Sequence, residues 1–110
     1  MDKISIEELA RQVDLHIANE SYEQGLELAT NMRDHYPQRQ PLIDYWRICL
    51  AALSEQNQQA CTILEEALAA GNWYAAHVLR QSPPLAGLQQ LPEYENLVHI
   101  SAEMEKADPL

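Results

Sequence analysis

The chain has 110 residues, 46% of them apolar, which suits one domain with a small core. Seven Lys and Arg stand against 17 Asp and Glu, a formal charge of −10. That balance argues against a nucleic-acid or anionic-membrane surface, since both need clustered cations. The apolar runs are a few residues long, far short of the ~20 that span a bilayer. Asp2, Glu7 and Glu8 occupy the place where a secretory signal would be basic. The chain is therefore expected to be cytoplasmic, with no membrane segment.

Fourteen Ala and 15 Leu, against three Val, two Thr and no Phe, favour helices over strands. The expected fold class is all-α, with about six helices in antiparallel pairs. Ser5 and Glu8 have the spacing of a capping box, and Ile6, Leu9, Val13 and Ile17 follow at helical spacing. This first helix should end near Asn19-Glu20. Ser21 is placed to cap a second helix whose inward stripe is Tyr22, Gly25, Ala29, Met32 and Tyr36, stopped by Pro37. The third helix carries Ile43, Trp46, Cys49, Leu50 and Leu53 on one face. A polar break at 54–58 precedes a fourth helix with Ala60, Ile63, Leu64, Ala67 and Leu68 inward, ended by Gly71. Residues 73–80 form a short fifth helix and 82–91 an irregular link. Pro92 opens a final helix to about Glu105, with Tyr94, Leu97 and Val98 inward and Ser101 and Met104 at its edge. Cys49 and Cys61 lack any CxxC spacing and are expected as two unpaired, buried thiols.

The second and fourth helices match at a constant shift. Gly25, Ala29 and Met32 lie over Ala60, Leu64 and Ala67, 35 residues on, with small residues where packed backbones approach. With Tyr22 and Pro37, this pattern resembles the tetratricopeptide repeat, a helix–turn–helix unit of about 34 residues. Asn72 departs from it, standing where the second unit would have proline. The segment from Gly71-Asn-Trp73 through Ser82-Pro-Pro-Leu85 to Tyr94 and Leu97 is similar to the terminal part of many bacterial repeat proteins. The resemblance implies a single domain over 1–110, with units near 6–39, 40–72 and 73–105, and an α-α superhelix closed by a capping helix.

No catalytic signature accompanies it. His16, His35, His77 and His99 include no pair at i, i+3 or i, i+4, so no helix offers a two-His metal face. Glu65-Glu66 and Glu103/Glu105 fall on solvated faces by periodicity. There is no G-x-S-x-G elbow, phosphate loop or H-E-x-x-H helix. Neither enzyme activity nor a cofactor or metal is expected.

The repeat resemblance implies a non-catalytic module that binds a protein or peptide in a concave groove lined by the first helix of each pair. The groove candidates are the off-core residues Asp14 and Ala18 of the first helix, and Leu42, Tyr45 and Ala52 of the third. Adjacent residues on a helix point about 100° apart. With Trp46 assigned inward, Tyr45 is expected outside the core, facing the partner. At −10, a neutral or basic partner is expected, and no nucleic acid. Two alternatives are a docking or regulatory module, similar to helical segments that precede the catalytic domain of some bacterial α/β-hydrolases, and self-association as a weak homodimer in place of a monomer. The gene beyond Leu110 separates a free-standing repeat protein, with a stop codon there, from the first alternative, with a strand and a G-x-S-x-G motif.

Overall fold

The computed structural model describes residues 4–108, which form six α-helices and no strand. They are α1 (Ile6–Ala18), α2 (Tyr22–Met32), α3 (Gln40–Leu53), α4 (Asn57–Ala69), α5 (Ala76–Gln81) and α6 (Pro92–Ala107). Short 3-10 turns occupy Arg33–His35, Pro37–Arg39 and Pro83–Leu88. None of the described helices is long and apolar enough to cross a membrane.

The all-α expectation holds, as do most helix boundaries. Ser5 caps α1 by accepting from the Glu8 amide at 3.0 Å, as the capping-box spacing requires. Ser21 does not cap α2. Its hydroxyl lies 2.8 Å from His16 Nδ1 and donates toward the His16 carbonyl instead, bracing the turn.

Helices α1, α3 and α4 end in the same way. Glu20, Glu55 and Gly71 take φ of 58°, 63° and 93°. The next amide then reaches back five residues: Ser21 to His16 at 2.9 Å, Gln56 to Ala51 at 2.8 Å, Asn72 to Ala67 at 3.0 Å. This is the Schellman closure, which satisfies carbonyls the helix end would leave open. Its recurrence at Glu20 and Glu55 gives the 35-residue shift in the sequence a physical form. Only at Gly71 does a glycine take the left-handed conformation. At Glu55 a side chain bears the left-handed backbone cost and sets a negative charge at the wrong end of the helix dipole. Glu55→Gly is expected to stabilise the fold by about 1 kcal/mol, less part of the chain entropy that glycine gains when unfolded. A higher urea midpoint is the readout. A lower one would show that the Glu55 side chain makes a contact worth more than the strain.

The molecule measures 40 × 31 × 19 Å, and its thin dimension is that of two packed helices. Helix α1 packs chiefly on α2, α2 on α3, and α3 on α4, so the first four helices make two successive hairpins. The pattern then breaks. A third hairpin would need a full helix after α4, but α5 has only six residues. Residues 83–88 fold back onto α3, and α6 closes on α4 and α5. One core runs through all of this, from Leu9 and Val13 through Ile43, Ile48, Leu50 and Leu64 to Leu79, Leu85, Leu88 and Val98.

This return explains where the expected stripe on α3 fails. Packed on α2, α4 and the 83–88 turn, α3 buries Asp44, Ile48 and Ala51 as well as Ile43, Cys49 and Leu50. Trp46 and Leu53, expected inward, are only half-buried. Tyr36 is buried as expected, but from the turn beyond α2 and not from the helix itself.

Side chains satisfy several backbone groups of the 73–91 segment that its short helices leave open. The fully buried Ser101 hydroxyl accepts from the Tyr74 amide at 2.8 Å and donates to the Tyr74 carbonyl at 2.6 Å. The Leu79 carbonyl accepts from the Tyr94 hydroxyl at 2.6 Å and from Gln89 Nε2 at 2.9 Å. Trp73 Nε1 donates to Asp108 at 2.8 Å, which fixes the far end of α6.

Candidate functional site

The five groove candidates differ in exposure. Asp14 and Ala18 are exposed on α1, and Leu42 is 41% exposed at the start of α3. Tyr45 and Ala52 are half-buried and packed against the core. Tyr45 is thus not the free, partner-facing residue expected from its neighbour Trp46. Its hydroxyl shares a 2.6 Å hydrogen bond with Ser82, and its ring centroid lies 5.9 Å from that of Tyr74, tilted by 40°. The Tyr74 hydroxyl in turn donates to the Pro41 carbonyl at 2.7 Å. The Tyr45 face of α3 is covered by the chain's own 74–88 stretch, with Leu85 and Leu88 fully buried beneath it.

Burial raises the pKa of Tyr45 and, further, that of Tyr74, so both rings stay neutral phenols at physiological pH. Truncating Tyr45 removes an aromatic pair, a hydrogen bond and most of a half-buried ring. Tyr45→Ala is expected to cost about 2 kcal/mol of folding stability, below the value for a fully buried aromatic. A drop in thermal midpoint with unchanged native helicity is the expected result. An unchanged midpoint would return Tyr45 to the surface.

A polar arrangement absent from the expected set lies between α2, α3 and α4. Asp44 is 2% exposed, and both of its carboxylate oxygens are engaged. Arg33 donates to it through two nitrogens, Nε at 2.7 Å and Nη2 at 3.1 Å, and Arg47 donates at 3.0 Å. Arg47 Nε also reaches Thr30 at 3.1 Å. The carboxylate raises the pKa of Arg33, beyond a value already too high for the cation to lose its charge. The cleft beside this triad, about 290 Å³, has Asp34 and Glu66 in its lining. With two arginines against three carboxylates, the cleft carries no net positive charge and is not built for an anion. The triad is a strut from the end of α2 to α3. Asp44 and Arg47 stand at i, i+3 in the sequence, and that pairing was its only legible signal.

Cys49 and Cys61 are both unpaired and buried, as expected. Burial pushes each thiol up to about 11, with the Glu93 and Glu65 charges adding to the effect at Cys61. Neither is a thiolate nucleophile at neutral pH. Among the described residues no three His, Cys, Asp or Glu side chains converge on a point that could hold a metal ion.

A family model described as A/B hydrolase-like, N-terminal domain, matches residues 6–108. The chain belongs to this family. The match corrects the tetratricopeptide identification. The helix hairpins and their 35-residue spacing are real, but they belong to the architecture of an A/B hydrolase-like N-terminal domain. The reading that the finding supports is the helical module of hydrolase-type proteins. No curated protein and no solved structure matches the chain.

Proposed function

We propose that this A/B hydrolase-like N-terminal domain is a non-catalytic helical module that docks against an α/β-hydrolase-type catalytic domain and positions or regulates it. The family match over 6–108 carries the reading. Two features of the surface accord with it. Leu15, Leu42 and Ile100 are each at least 40% exposed and can be buried on docking. The charge of −10 favours a neutral or basic partner and argues against nucleic acid. Asp14, Ala18 and Leu42 remain outward contacts for such a partner, whereas Tyr45 and Ala52 act from within the fold. A cytoplasmic location suits two protonated, unpaired thiols.

The test is calorimetric titration of the purified chain with a purified α/β-hydrolase domain from the same genome, alongside an ester-hydrolysis assay of each alone. The expected result is saturable binding that weakens as salt rises, with turnover by the hydrolase domain only. Turnover by the 110-residue chain itself would sink the non-catalytic reading. Absence of binding at low salt would sink the docking one.

A further inference from the structure

A cleft of about 600 Å³ opens between the entry to α1, residues 4–6, and the turns at 35–39. Ile4, Ile6 and Pro37 line it, so its walls are largely apolar. The buried Tyr36 donates its hydroxyl hydrogen bond to the Ile4 carbonyl, tying one wall to the other. Arg39 lines the same cleft.

Arg39 is singular among the described cations. Arg11, Arg33, Arg47, Arg80 and Lys106 each hold an ion pair with a carboxylate, and Arg39 holds none. In a chain with 17 acidic residues against seven basic ones, a cation without a carboxylate beside an apolar wall is the exception. A second donor belongs to the same lining. The Ser5 hydroxyl accepts from the Glu8 amide and keeps its own proton to give.

We propose that this cleft binds a medium-chain aliphatic carboxylate. The carboxylate pairs with the Arg39 guanidinium and takes the Ser5 hydroxyl proton as a hydrogen bond, and the acyl chain lies along Ile4, Ile6 and Pro37. The volume is within the range of small-molecule sites, and a few polar groups on an apolar wall are what fixes such a ligand. An extended peptide fits less well, because its amides would face aliphatic side chains and go unpaired. The proposal does not rest on docking to a hydrolase domain, and the failure of either leaves the other standing.

Amide NMR titration of the full chain with sodium octanoate tests it. Saturable shifts are expected in residues 4–6 and 35–39. Hexanoate, two methylenes shorter, should bind roughly ten-fold more weakly. Arg39→Gln should weaken octanoate roughly ten-fold, and Arg39→Lys should keep most of the affinity. Arg39 is exposed, so unchanged circular dichroism is expected for both variants. The proposal is overturned if no saturable shift occurs up to about 10 mM octanoate, if the shifts map elsewhere, or if Arg39→Gln binds as the parent does. It is equally overturned if octanol matches octanoate, since the cleft would then select the chain and not the carboxylate.

Discussion

Replacing Asp44 by Ala is expected to cost about 3–5 kcal/mol, the range for breaking a buried ion pair by removing one partner. The reason lies less in the attraction lost than in what remains. Arg33 and Arg47 would keep their charges, with Nε and Nη2 of Arg33 and one nitrogen of Arg47 losing their acceptor in a half-buried place. Neither arginine can shed its proton to escape. The nearby Asp34 gives little relief, since it sits 3.8 Å from Arg33 and is itself 91% exposed. Asp44→Asn keeps the shape and one acceptor oxygen, and should fall between Ala and the parent. A third variant separates charge from packing. Converting Arg33, Asp44 and Arg47 together to Met, Leu and Met removes every charge, and should recover most of the loss. Urea unfolding of the three variants is the measurement. If Asp44→Ala unfolds within about 1 kcal/mol of the parent, the triad is a surface pair and not a strut. If the triple variant is as weak as Asp44→Ala, packing and not charge decides the site.

Much of the fold was legible because helix signals are local. The Ser5 cap, the Leu9/Val13 stripe, the Gly71 stop and the Pro92 start each depend on residues within a turn or two, and all stand where the sequence placed them. The failures share a cause of longer range. A stripe assumes that a helix has one buried face, and α3 has several, because the 83–88 turn comes back to cover it. That return reversed the expectation for Tyr45. Asp44 is brought into the interior by α2 and α4 instead, where a carboxylate is tolerated only because two arginines arrive with it. Arg33 comes from 11 residues upstream, a separation that no periodicity reports.

The family reading failed for a related reason. Small residues at Gly25 and Ala60, and hairpin turns 35 residues apart, are what any pair of closely packed antiparallel helices needs. They suit a repeat protein and this chain alike, and so could not separate the two. What separates them is the family match over residues 6–108.

Gly25→Leu is expected to cost about 3 kcal/mol, the upper part of the range for overpacking a core. A Cβ added at Gly25 would meet His16 Cβ and Leu50 Cδ2, each at 3.0 Å. His16 Cβ is fixed to the α1 backbone, and Leu50 on α3 is fully buried, so neither side gives way freely. Gly25 is therefore the point where α1, α2 and α3 converge. Gly25→Ala is the finer probe. It gains about 1 kcal/mol of helix propensity, which offsets much of the contact strain and leaves a net loss of about 1 kcal/mol or less. Leu adds three further carbons with nowhere to go, and no further gain in propensity. At the equivalent position 35 residues on, Ala60 is fully buried, and Ala60→Leu should overpack in the same way. Gly87→Ala serves as the control, since a Cβ there meets nothing within 4 Å. Thermal unfolding of the four variants gives the order: Gly87→Ala beside the parent, Gly25→Ala slightly below, Gly25→Leu and Ala60→Leu well below. If Gly25→Leu melts with the control, α2 does not pass as close to His16 and Leu50 as the structure has it. The small residues of the 35-residue pattern would then need another explanation than backbone approach.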